Sequence, residues 1–330
     1  MSAPRASGSG EDDLIARYFR PLANNPGAFG LIDDAAVLEG RGDDIVVTTD
    51  AIVAGVHFLP DDPPEAVARK ALRVNLSDLA AKGAVPAGFV LTLALPRADE
   101  AWLGPFARAL GEDIAAYRCP LLGGDTVSTP GPVMVSITAF GRVPTGTMVR
   151  RSGAQPGDRI AVSGSIGDAA LGLRLLKGAA GDGLSPAARG FLVARYREPQ
   201  PRLPLAAALR NAASAAMDVS DGLAGDLGKL CAASGVTATV AADRIPLSEA
   251  ARAALTAGVG SLEALIAGGD DYEVVCTVPP ERWAGFVRQA AEAGVAVADL
   301  GIVAAGRAPP RFLEGRGQEM ALPRRSFSHF

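Results

Sequence analysis

A chain of 330 residues suits two domains and is ample for a large core. Hydrophobic residues make up 48% and charged residues 21%, the balance of a folded globular protein and not of a disordered one. The net charge of -4 gives no reason to expect nucleic acid or an anionic membrane as partner.

In chain order, residues 1–12 read as a tail without the apolar stretch of a signal peptide. "EDDLIARYFRPLA" follows as a short helix, and "AAVLEGRGDDIVVTTDAIV" as two strands joined by a Gly/Asp turn. "PPEAVARKALRVNLSDLAAKGA" starts with proline, stops at Gly83 and has helical apolar spacing, which predicts a helix. "PAGFVLTLALP" reads as a buried strand, "DEAWLGPFARALGEDIAAYRC" as an amphipathic helix and "VMVSITAFGRV" as a strand. The Gly- and Pro-rich stretch over 144–158 predicts a boundary between domains 1–150 and 151–330. Beyond it come strand, glycine loop and helix in "DRIAVSGSIGDAALGLRLL", helices in "PQPRLPLAAALRNAA" and "MDVSDGLAGDLGKLCAASG", and a strand in "YEVVCTV". Alternation of this kind predicts an α/β layer structure.

Cysteine and histidine narrow the chemistry. Cys119, Cys231 and Cys276 stand far apart with no CxxC pair, so reduced thiols in a cytoplasmic protein are expected. No apolar run nears the roughly 18 residues of a membrane span. His57 and His329 are the only histidines. A His-rich metal centre is thereby excluded, and a hard ion held by oxygen, such as Mg²⁺, fits better.

The unusual feature is aspartate in apolar text: Asp33 and Asp34, Asp50, Asp78, Asp125, Asp218 and Asp221, Asp270 and Asp271. Carboxylates are depleted in strands and costly when buried unpaired. Each has a bland role open to it: Asp34 and Asp221 as helix caps, Asp125 in an Asx-turn, Asp218 at an exposed helix start. Taken together they would repel one another unless cations neutralise them, and a Mg²⁺–nucleotide site follows. In "NLSD", Asn75 and Asp78 fall on one helix face. There is no GxxxxGK[ST] P-loop, no EF-hand spacing, and "GSIGDAALG" matches a phosphate cradle only weakly.

"DDAAVL", "TTDAIVAGVHF", "KALRVNLSDLAAKGA", "LLGGDT", "RSGAQPGD", "MDVSDGL" and "GGDDYE", in this order, closely resemble bacterial thiamine-monophosphate kinases, in the superfamily of aminoimidazole ribonucleotide and selenophosphate synthetases. The resemblance runs from about residue 11 to the C-terminal "FSHF". It implies two α/β domains, the N-terminal one dimerising through its sheet and the C-terminal one closing an ATP cleft. By motif it implies Mg²⁺ ligands at Asp34, Thr48, Thr49, Asp50, Asp78, Asp125, Asp218 and Asp221. ATP contacts are implied at Tyr117, Gly124, Asp125, Arg151 and Ser220, and thiamine monophosphate contacts at His57, Asp270 and Phe327. Family members often read GGEDYE where Asp270 stands here, and carry glycine where Ile32 stands.

The implied reaction suits this residue inventory. A phosphate monoester with a second pKa of about 6 is already an anionic nucleophile at neutral pH. No general base is needed, and the barrier falls to positioning and charge neutralisation. Asp50 and Asp125 then serve as metal ligands, and Arg151 as the group that stabilises charge on the phosphoryl in transfer. Among superfamily alternatives, selenophosphate synthesis wants a reactive residue near the N-terminus, whereas the first cysteine is Cys119. A hydrogenase-maturation carrier ends in cysteine, whereas this chain ends "SFSHF". Ribonucleotide cyclisation and a silent Mg²⁺–nucleotide binder are the remaining alternatives, and intact "TTD", "NLSD", "GGDT" and "DVSD" speak against the silent binder.

Overall fold

The computed structural model describes residues 29–322 and 326, apart from residues 31, 34, 39, 41 and 316. The helix expected over 11–23 lies outside the described residues, as do Asp34, Phe327 and His329.

Two mixed sheets form the frame. The first runs β1 (Ala36–Leu38), β2 (Asp43–Val53), β3 (Val85–Leu95), β4 (Leu121–Ser128) and β5 (Met134–Pro144), in the spatial order β1-β2-β5-β3-β4. Only the β3–β4 pair is parallel. The second contains β6 (Arg159–Ser163), β7 (Ala215–Val219), β8 (Val236–Ala241), β9 (Glu273–Val278), β10 (Val297–Ala305) and β11 (Arg311–Leu313), ordered β11-β8-β10-β6-β9-β7. Its pairs are antiparallel except β11–β8.

Helix α1 (Pro64–Ala81) has Pro64 at its first position, where the missing N–H costs nothing. From Ala66 to Ala81 every residue but Arg69 is buried. A helix buried all round has protein on every side. Val67, Leu72, Leu76 and Leu79 pack into the core of the first sheet. Toward the second half, Lys70 pairs with Asp270, Arg73 donates to the Pro199 carbonyl, and Lys82, just past the helix, donates to the Ala216 carbonyl. The helix is thus the joint of the molecule. Helix α2 (Glu100–Tyr117) starts at Asp99, which accepts from the Ala101 N–H, and stops at left-handed Arg118.

Around the second sheet lie α3 (Asp168–Leu176), α4 (Pro186–Arg197), α5 (Ala206–Ala212), α6 (Leu223–Ser234), α7 (Glu249–Thr256), α8 (Leu262–Ile266) and α9 (Pro280–Glu292). Two expectations change. "LLGGDTVS" is edge strand β4, so the Asx-turn open to Asp125 is not its role: the backbone pairs with β3 from Phe89 to Leu95. The helix expected from Met217 begins only at Leu223, since Ala215–Val219 is a wholly buried strand at one end of the second sheet. Gly222, at φ 111°, turns the chain between them.

Candidate active site

Strand β2, helix α1 and strand β7 converge on a polar cavity of about 160 Å³ lined by Thr49, Asp50, Asp78, Asp218, Ser220 and Tyr272. Their side chains are held from behind. Thr48 Oγ1 donates to Asp78 Oδ2 at 2.5 Å. The Asp50 N–H donates to Asn75 Oδ1 at 3.1 Å, while Asn75 Nδ2 returns to the Ala71 carbonyl of its own helix. Thr49 Oγ1 donates to the Ile137 carbonyl on β5 and accepts from Thr138. Asn75 and Asp78 therefore act together, as their spacing predicts.

The three carboxyls hold their protons unusually tightly. Lost hydration pushes Asp50 up to about 6; its hydrogen bond with Asp78 works against this and the charge of Asp221 adds to it. Asp50 opens toward the cavity mouth, but protein surrounds it on the other sides. Lost hydration, then Asp218 and Asp50, raise Asp78 well above the usual range. Asp218, 3% exposed, rises to about 7 through lost hydration and the charge of Asp226.

Asp221 stands beside this cavity and does not line it. It pairs with Lys229 Nζ at 2.5 Å, and Lys229 also reaches Asp226 at 3.1 Å. The cap residue of α6 is Gly222 and accepts no side-chain bond, so Asp221 is not that helix's cap. Asp218 is a buried strand residue, not an exposed helix start.

Other candidates lie apart. Gly124 and Asp125 sit on β4, three strands from β2 and about 14 Å along the sheet at the usual strand spacing. The Arg151 N–H donates to Asp33 Oδ2 at 2.7 Å, and Asp33 pairs with fully buried Lys82 at 2.8 Å. Tyr117 ends α2 under the guanidinium of Arg73, 5.6 Å from its ring centre. His57 and Asp270 meet through Lys70: Lys70 Nζ donates to the His57 carbonyl and lies 3.0 Å from Asp270 Oδ1. Asp34 and Phe327 are outside the described residues.

The motif "GGDDYE" sends successive side chains in different directions. Asp270 turns to Lys70, and Tyr272 to the acidic cavity. Fully buried Asp271 accepts the N–H groups of Gly167 and Ala169. It therefore occupies the seat at the N-terminus of α3 that an anion would otherwise take. Glu273 binds Arg195 at 2.8 Å, and accepts from both Nε and Nη2 of Arg202. Gly269 allows this crowding, because a Cβ there would stand 2.5 Å from the Ser220 carbonyl.

Sequence reasoning missed Lys70 and Tyr272. No local signal marks Tyr272, because Asp270 and Tyr272 both hold left-handed φ, 70° and 51°, and the alternation of an extended chain does not apply.

Two α/β layers joined by a buried helix around an acidic cavity define the class of AIR synthase related proteins. The model of their N-terminal domain matches residues 32–143 and that of their C-terminal domain residues 155–310. The chain is 48% identical to thiamine-monophosphate kinase of Caulobacter vibrioides over 322 residues, 96% of this chain and 90% of that one. It belongs to the thiamine-monophosphate kinase family. The solved thiamine-monophosphate kinase of Stenotrophomonas maltophilia superposes with a TM-score of 0.77 at 37% identity, covering 96% of this chain and 98% of that one. AaThiL complexed with AMPPCP and TMP does so with a TM-score of 0.80 at 29% identity, covering 92% and 97%.

Proposed function

We propose that this chain transfers the γ-phosphoryl group of ATP to the phosphate of thiamine monophosphate, giving thiamine diphosphate and ADP. The observation that carries this reading is the cavity itself. Three carboxyls with raised proton affinities and three hydroxyl side chains face one space, an arrangement that asks for cations. The names of the relatives supply the substrate.

The donor set suits Mg²⁺, which takes carboxylate, water and phosphate oxygens. Among the described residues, no three His, Cys, Asp or Glu side chains converge closely enough to hold an ion by themselves. Asp34, Thr48, Thr49, Asp50, Asp78, Asp125, Asp218 and Asp221 would between them hold a cluster of Mg²⁺ ions, not a single one. Bound there, Mg²⁺ would neutralise charge between two polyanionic substrates.

The chain's own residues position and exclude. Gly124, Asp125, Arg151, Ser220 and Tyr117 are assigned to ATP, whose extended triphosphate suits the distance from β4 to β2. His57, Asp270 and Phe327 are assigned to thiamine monophosphate. The His57 Nδ1 accepts the Val53 N–H at 3.1 Å, which occupies that nitrogen and suits a residue that orients substrate without taking its proton. Arg151 is assigned to charge on the transferring group.

Residues 1–150 and 151–330 form the two domains of this reading. A second copy is assigned to the outer edge of β4, where all eight residues are exposed and Leu121, Leu122 and Val127 present apolar surface. The three buried cysteines suit the reducing cytoplasm, and no described helix is long and apolar enough to cross a membrane.

The test is incubation with Mg·ATP and thiamine monophosphate, followed by chromatography. Thiamine diphosphate and ADP in equal amounts support the reading, and ADP without thiamine diphosphate contradicts it.

A further inference from the structure

Lys70 has no part in the roles assigned above. Its side chain is 2% exposed, so its charge must be matched where it sits. Nζ donates to the His57 carbonyl at 2.8 Å, lies 3.0 Å from Asp270 Oδ1, and stands 3.9 Å from the centre of the Tyr196 ring. The Tyr196 hydroxyl donates to the same His57 carbonyl at 3.3 Å. An ammonium has three N–H donors, and two oxygens and a π face match them. The cation is therefore saturated by protein groups and serves as a pin.

What it pins comes from both halves of the molecule. Lys70 is on α1; the His57 turn follows β2; Asp270 lies in the loop before β9, and Tyr196 is on α4. His57 is fixed at its carbonyl by Lys70 and at its ring by the Val53 N–H. Asp270 holds a left-handed φ of 70°, which a non-glycine residue keeps only when its surroundings impose it. Here the Asp270 N–H donates to the Ser220 carbonyl at 2.8 Å while the carboxylate meets Lys70. That carboxylate stays 27% exposed, so it is anchored on one side and open on the other.

We propose that Lys70 is a positioning residue for the acceptor substrate: one buried ammonium holds the His57 turn of the first half against Asp270 of the second. The two groups assigned to thiamine monophosphate then meet it at a set separation. This rests on the reading above that His57 and Asp270 face that substrate.

The test is steady-state kinetics of the full chain with both substrates varied, alongside thermal unfolding. Lys70→Met raises the KM for thiamine monophosphate on the order of tenfold or more and leaves the KM for ATP within about twofold. Lys70→Arg recovers most of that loss. Should Lys70→Met fail to fold, Tyr196→Phe, which removes only the hydroxyl bond to His57, shows the same split by a smaller factor. An unmoved KM for thiamine monophosphate, or both KM values rising together with a falling Tm, overturns the inference. Wild-type protein that leaves thiamine monophosphate unphosphorylated overturns the functional reading, and this inference with it.

Discussion

Asp50 and Asp218 carry carboxyl pKa values of about 6 and about 7, against an ordinary value near 3.8. A carboxyl whose folded pKa is raised binds more protons in the folded than in the unfolded state between those limits. Folded stability therefore falls as pH rises from about 4 to about 7, and the cost is full above that window. Metal-free protein in chelator should melt at a higher temperature at pH 5.5 than at pH 8, and Mg²⁺ should raise Tm more at pH 8, where protons no longer compete. A flat Tm between the two would mean that these carboxyls do not repel. Asp218→Asn should raise the metal-free Tm at pH 8, by about 2–4 °C for each kcal/mol relieved, and cut turnover by orders of magnitude. A large fall in Tm would instead make Asp218 structural. These aspartates are legible in sequence because a carboxylate inside apolar text needs a reason. Lys70 and Tyr272 are not. A lysine at a helical position reads as a solvated face, and nothing local reveals that a second sheet covers α1.

At the scale of the element, Glu273 shows how one strand start holds a loop in place. Its carboxylate accepts the Ser163 hydroxyl at 2.6 Å and meets Arg195 and Arg202, with no exposure to water. Removing one partner of a buried pair strands the others, so Glu273→Ala should cost about 3–5 kcal/mol in urea unfolding. A loss under about 1 kcal/mol would show that the arginines find other partners. Helix α1 and strands β2, β3 and β5 are readable from period and end signals. Strand β4 is not: two glycines and an aspartate carry turn chemistry, and only pairing with β3 overrides it. Strand β7 hides for a related reason, since "AAMDV" is too short and alanine-rich to tell strand from helix before its neighbours are known.

For the whole molecule, the features that stand out are the exposed edge of β4 and the buried joint at α1. An open edge bearing Leu122, 61% exposed, invites pairing. Sedimentation equilibrium should give close to twice the 33.6 kDa of one chain, and Leu122→Lys should shift it toward a single chain. A wild-type monomer at micromolar concentration would leave β4 without the second copy assigned to it. In the proposed reaction, charge neutralisation in the acidic cavity suffices for phosphoryl transfer to an acceptor that is already an anion. The direct measurement is to offer γ-labelled Mg·ATP with thiamine monophosphate or with thiamine, at equal concentration, and to follow the label. Label should appear in thiamine diphosphate and not in a product of free thiamine, whose alcohol needs a base, a role closed to the cavity carboxyls while they hold metal. Label transferred to thiamine at a comparable rate would contradict this.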